Sequence, residues 1–229
     1  MISVFSHFGG RDLRPNPHSM WVGRDLSRLS LRQKEVIAEA IGDLEYQVWG
    51  SIAPHFVQGE ASFLSTMLSN RDVLLAVSYA DPRDEFGPYT SYFIAYEEGP
   101  NSSWAGMYER ETGKSFREFM RDLPSENPKF FYREDQTRAN TAIAKREHRE
   151  MMDAVYGYMQ NEGVGFATYA RASTTYRLMK EGKQGSMVIV AEQRIPDFYG
   201  PGDDTVALIG YYVPDGTYRP GMIKSTRHR

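Results

Sequence analysis

The 229-residue chain contains no cysteine. That absence excludes thiolate nucleophiles, cysteine-ligated zinc and a disulfide framework, and it agrees with a reducing compartment. No uninterrupted apolar run approaches the ~18 residues a membrane-spanning helix needs, so no membrane partner is expected. Histidine is scarce. The five residues His7, His18, His55, His148 and His228 have no ligand spacing, and no metal is expected. His148 stands among Lys145, Arg146, Glu147 and Arg149, which reads as a charged helix face. Neither sign of charge dominates: 27 basic residues face 30 acidic ones. A polyanion-binding surface finds no support there, and no nucleic-acid partner is expected. Basic character gathers only in Lys224-Ser-Thr-Arg-His-Arg229. The first ten residues lack a basic start and a long apolar stretch, so no signal peptide is read. The expected location is the cytoplasm, or a particle assembled there.

The length suits one large domain with extensions, able to bury a core without metal or disulfide staples. Residues 1–30 carry Gly9-Gly10, Pro15 and Pro17 and show no sustained period, which predicts an extended arm. An arm without its own core must lie on the domain or on a neighbour, so a homo-oligomer or an assembly partner is expected there. Ser30 then caps a helix with Val36, Ile37, Ala40, Ile41, Leu44 and Val48 in one apolar stripe. A second helix, Glu60 to Leu68, places Phe63, Leu64, Met67 and Leu68 inward.

From Asp72 the period changes. Strands are predicted at 72–79 and 89–96, an antiparallel pair. Residues 99–128 read as an insertion with one short helix at Ser115–Asp122. A strand follows at Lys129–Arg133 and a long helix at Thr141–Gln160, with Ile143, Met151, Met152, Val155 and Met159 on one side. Gly163 suits a left-handed cap. Strands at 164–170, 186–192 and 205–212 complete the pattern, with a short helix at Thr174–Lys180 between the first two. Residues 31–213 thus form the domain, and 214–229 a tail.

This order resembles the GNAT superfamily of acyl-CoA-dependent N-acyltransferases, most clearly over residues 129–213. The stretch from Ala167 to Lys180 is similar to the family's strand into its last short helix. Phe198-Tyr-Gly-Pro-Gly-Asp-Asp-Thr-Val-Ala-Leu-Ile209 is similar to its closing hairpin. The resemblance implies an α/β (α+β) fold with a central mixed sheet flanked by helices. It also implies acetyl-CoA or another acyl-CoA as co-substrate and an amine acceptor, either a small molecule or a protein.

An acyl-CoA enzyme must hold a pyrophosphate, and a helix N-terminus supplies N–H groups and a positive dipole end for one. In the family a Gln/Arg-x-x-Gly-x-Gly/Ala loop does this. The matching stretch here is Gln136-Thr-Arg-Ala-Asn-Thr-Ala142. Gln136 or Arg138 opens it, and Ala139, Thr141 and Ala142 are small, with Asn140 between them. The glycines are missing, and alanine and threonine disfavour positive φ. The stretch reads equally as a plain helix start with polar caps.

By the same resemblance the strand residues Phe131, Tyr132 and Arg133 would run beside the pantetheine, and a backbone N–H there would hold the thioester carbonyl. Tyr176 matches the tyrosine that protonates the departing thiolate, or it is a packed aromatic. Glu134, or its neighbour Asp135, is a candidate base, or a solvated turn charge. Arg171 and Ser173 offer a cation and a hydroxyl to the cofactor, or a strand end and a helix cap. Two functions follow. One is an N-acyltransferase. The other is an inactive structural or interaction protein that keeps the fold, such as a component of a phage particle.

Overall fold

The computed structural model describes residues 18–22, 24–51, 54, 57–69, 72–79, 81, 88–171, 187–198 and 200–213. Along the chain the elements are β1 (His18–Val22), α1 (Arg24–Ser27), α2 (Leu31–Trp49), α3 (Glu60–Leu68), β2 (Val73–Tyr79) and β3 (Tyr89–Glu97). They continue as α4 (Ser103–Thr112), α5 (Phe116–Arg121), β4 (Phe130–Arg138), α6 (Ala142–Glu162), β5 (Gly165–Arg171), β6 (Met187–Pro196) and β7 (Asp204–Tyr212). The strands run in the order β1-β2-β3-β4-β5-β7-β6 in one sheet. β1–β2, β2–β3, β5–β7 and β6–β7 pair antiparallel, and β4–β5 is a parallel pair. Two compact units divide the chain. The first takes residues 1–96 and 134–155, the second residues 97–133 and 156–229.

In the first unit α2 begins on a full capping box. Ser30 accepts from the Gln33 N–H, and the Gln33 side chain accepts from the Ser30 N–H. Both bonds satisfy donors that a helix start leaves open. The stripe Ile37, Ala38, Ile41 and Leu44 is buried with Phe63 and Met67 of α3 and with Val73, Leu75, Val77 and Tyr79 of β2. Each buried Val, Leu, Ile, Phe or Met among them contributes roughly 1.5–3 kcal/mol. Every residue of β2 is buried, so the strand reads as a continuous apolar run, without the alternation of a half-solvated one. Glu45, on the same helix, turns its carboxylate inward and accepts from the backbone N–H groups of Gln58 and Gly59. That pins the turn ahead of α3.

Three expectations change here. The stretch 1–30 is not all extended arm: it contains β1, paired with β2, and α1, whose Leu26 is buried in the core. Leu26 and Leu29, three residues apart, give this segment the core contact that its glycines and prolines concealed. Residues 1–17 lie outside the described ones. Leu68, expected inside, is exposed, and so is Ile143 on α6. On α6 the inward row starts at Ala144 and runs through Glu147, Met151, Met152 and Val155.

In the second unit the segment 99–128 supplies much of the core and contains two helices. Ser102 caps α4 through the Ala105 N–H, and Ser115 caps α5. Gly113, in the left-handed region, ends α4. Tyr108, Phe116, Phe119 and Phe130 then pack ring on ring, with Phe116 edge-on to Phe130 at 5.0 Å. The turn-rich look of residues 99–104 is the cap of α4, which hid the helix. Gly163 ends α6 at φ 59°, as its position predicted, with its Cα close against Pro124. The predicted short helix at 174–180 and the tail 214–229 lie outside the described residues.

Candidate functional site

β4 is longer than its apolar start suggests, reaching Arg138. Its polar second half, Glu134 to Thr137, hid the continuation. Side chains of a strand alternate. Phe130 and Tyr132 join the core of α4 and α5, while Phe131 and Arg133 point to the other face and are buried.

Arg133 is only 6% exposed. Its Nη2 donates to the Tyr156 hydroxyl of α6 at 3.4 Å, and its guanidinium stands 5.6 Å from the Tyr156 ring centroid. Burial pulls the guanidinium towards the neutral form, and Tyr156 and Tyr212 outweigh it, so its pKa lies above the ordinary arginine value. Tyr212, on β7, is itself pushed up by burial, against the opposing pull of Arg133.

The parallel register between β4 and β5 covers Phe130↔Gly165, Phe131↔Phe166 and Tyr132↔Ala167. The Phe130 carbonyl accepts from the Glu98 N–H, and the Lys129 carbonyl accepts from the Gly165 N–H, each at 2.8 Å. Backbone polar groups alternate between the two edges of a strand, so those of Phe131 and Arg133 are directed to the β5 edge. On the α4 side of this pair four rings gather. Trp104 lies 5.3 Å from Tyr132 and 4.9 Å from Tyr169, and Tyr169 stacks on Phe198 at 4.5 Å. Burial raises the Tyr169 pKa. At the end of β5, Arg171 pairs with Asp203 at 3.3 Å, and Asp203 also accepts from the Thr205 hydroxyl.

In the first unit, the end of β4 leads into α6 through only Ala139, Asn140 and Thr141. Thr137 is buried and accepts from the Trp49 indole N–H at 2.9 Å. The Ala139 N–H donates to the Thr90 carbonyl at 2.9 Å, and Ala139 packs against the α2 core. Thr141 is the N-cap: its Oγ1 accepts from the Ala144 N–H at 3.1 Å and its carbonyl from the Lys145 N–H at 3.0 Å. Asn140, Thr141, Ala142 and Ile143 are exposed. Next on the helix, Lys145, Arg146 and Arg149 are exposed as well.

The sequence candidates thus fall into two runs on one strand and the loop after it. Phe131, Tyr132 and Arg133 adjoin the β5 register, and Arg138 to Ala142 form the turn into α6. Of Glu134, Asp135 and Gln136 the backbone, within β4, is described. Tyr176 and Ser173 lie outside the described residues. Sequence reasoning missed the anchoring of Arg133 by Tyr156 and the ring cluster of Trp104, Tyr169 and Phe198. The available signal was the strand period, which puts Tyr132 of β4 and Tyr169 of β5 on the same face of the sheet. Among the described residues no group of three or more His, Asp or Glu is arranged to hold a metal ion.

No family model and no curated protein matches the chain. Solved structures resemble it in backbone path. Aminoglycoside 6′-acetyltransferase type Ii shares 8% identity over 80% of this chain and 94% of its own, with a TM-score of 0.48. Arabidopsis thaliana NAA60 in complex with acetyl-CoA shares 13% over 76% and 94%, also at 0.48. An acyl-CoA N-acyltransferase from Pseudomonas aeruginosa shares 12% over 83% and 98%, at 0.43. The element order, the strand order and the parallel β4–β5 pair agree with the mixed-sheet α/β fold that the GNAT resemblance implies.

Proposed function

We propose that the protein is an acyl-CoA-dependent N-acyltransferase, moving an acetyl or longer acyl group from CoA to an amine. The observation that carries this reading is the turn into α6. It is three residues long, built from small or polar side chains, and it opens onto an exposed helix start. Thr141 takes up the N–H groups of Ala144 and Lys145. Those of Ala142 and Ile143 lie ahead of them, at the positive end of a 21-residue helix. A pyrophosphate suits such a place, and Lys145, Arg146 and Arg149 add positive charge nearby.

Glu134 takes a proton from the acceptor ammonium, and the neutral amine attacks the thioester carbonyl. A β4 backbone N–H holds the oxyanion that forms. When the C–S bond breaks, Tyr176 gives its proton to the thiolate, the surplus proton on the new amide nitrogen restores the tyrosine, and Arg171 and Ser173 contact the cofactor. The test is transfer of labelled acetyl from acetyl-CoA to a panel of amines. Transfer that falls at least about tenfold in Tyr176→Phe supports the assignment, since a general acid contributes ~10²–10⁴-fold. A fully active Tyr176→Phe removes Tyr176 from the mechanism.

One observation favours a second reading, a GNAT-type fold without transfer activity that serves in an assembly. The turn has no glycine, and its Ala139 is tied to Thr90 and to the α2 core, which limits how far it can adapt to a phosphate. Self-association of a well-folded protein that binds no acyl-CoA would support this reading.

A further inference from the structure

Arg133 occupies an expensive position. Removing a guanidinium from water is costly until its partners offset it, and an apolar side chain of similar volume commonly replaces a buried charge at no loss of stability. What the arginine adds is directionality. It reaches Tyr156 of α6 by a hydrogen bond and through its ring face. Its place on β4 is equally particular. The last residue pair of the parallel register is Tyr132↔Ala167, and Arg133 is the next residue. Its backbone polar groups are directed to the β5 edge while its side chain is anchored on the α6 face.

We propose that Arg133 is a positioning residue whose anchoring by Tyr156 fixes the course of β4 where its register with β5 ends, and so sets how an acyl thioester carbonyl meets that strand. The inference rests on the acyltransferase reading. It assigns the Arg133 side chain no contact with the acyl group, and it gives Tyr156 a part in the geometry of the reaction.

The experiment is isotope-edited infrared spectroscopy of acetyl-CoA labelled with ¹³C at the acetyl carbonyl, bound to wild type, Tyr156→Phe and Arg133→Met. Calorimetry with the same ligand and near-ultraviolet circular dichroism serve as controls. Tyr156→Phe keeps the ring and removes only the hydroxyl, so it remains informative if Arg133→Met does not fold. In wild type the carbonyl band is displaced from its position in free acetyl-CoA. In Tyr156→Phe it moves back towards that position while binding persists. A purely structural role lowers the melting temperature and leaves the band where it is. A wild-type band at the free position, or identical bands in wild type and Tyr156→Phe, overturns the inference and leaves binding intact. A folded wild type that binds no acetyl-CoA fails the acyltransferase reading itself, and this inference with it.

Discussion

Trp49, the last residue of α2, donates its indole N–H to Thr137 Oγ1, near the end of β4, at 2.9 Å and across 88 residues of sequence. The bond ties the exit of β4 to a core helix two residues before the turn into α6. Replacing Thr137 by valine keeps the shape and leaves the indole donor without its acceptor. The expected cost is about 1–3 kcal/mol, measured by urea denaturation. An unchanged midpoint would show that the indole finds another acceptor without loss.

Two glycines near the end of α6 should respond in opposite directions. Gly163 has φ 59°, and a Cβ there would stand 2.1 Å from the Pro124 carbonyl oxygen. Gly163→Ala is expected to destabilise by more than ~1 kcal/mol, since conformation and contact both oppose the side chain. Gly157 is helical, and its Cβ would meet nothing within 4 Å. Gly157→Ala is expected to stabilise by roughly 0.5–1 kcal/mol. Thermal melts of the two variants decide the matter, and shifts of the same sign contradict it.

Alkaline pH should weaken the fold. Burial raises the hydroxyl pKa values of Tyr212, Tyr108 and Tyr169 above the ordinary tyrosine value. A folded-state value above the unfolded one gives stability that is complete below the unfolded value of about 10. That stability is lost as the pH rises towards the folded value. Denaturation midpoints should therefore show no tyrosine-linked fall up to about pH 9 and drop above about pH 10. Tyr212→Phe should drop less steeply. An equal slope would mean that Tyr212 ionises alike in both states.

The parts of this architecture that were legible in the sequence are those where one local signal dominates. Ser30 announced α2, the apolar run from Val73 announced β2, and Gly163 announced the end of α6. What was hidden has a physical reason in each case. The polar residues Glu134 to Thr137 disguised the far half of β4, because a strand's backbone pairing does not depend on apolar side chains. The cap at Ser102 looked like loop. Ile143 fits the helical period of α6 yet is exposed, since the inward row begins one residue later. At the candidate site the order of strand, short turn and helix was readable. The anchoring of Arg133 was not, because its hydrogen-bond partner Tyr156 lies 23 residues away on another element.

Substitutions at Thr141 separate a cap from a ligand site. Thr141→Ala removes the side-chain acceptor for the Ala144 N–H and should cost ~1 kcal/mol of stability. Thr141→Trp loses the same cap and also fills the space in front of the helix start. Acetyl-CoA affinity is expected to survive the first change and to disappear with the second. Equal affinity in both variants would place the phosphates elsewhere.

The most direct test of the central claim is a calorimetric titration of the folded, unmodified protein with acetyl-CoA. The acyltransferase reading predicts saturable binding with one ligand per chain, weakened by added salt because phosphate recognition has an electrostatic share. Absence of saturable binding at millimolar acetyl-CoA, with circular dichroism confirming a folded protein, would contradict it.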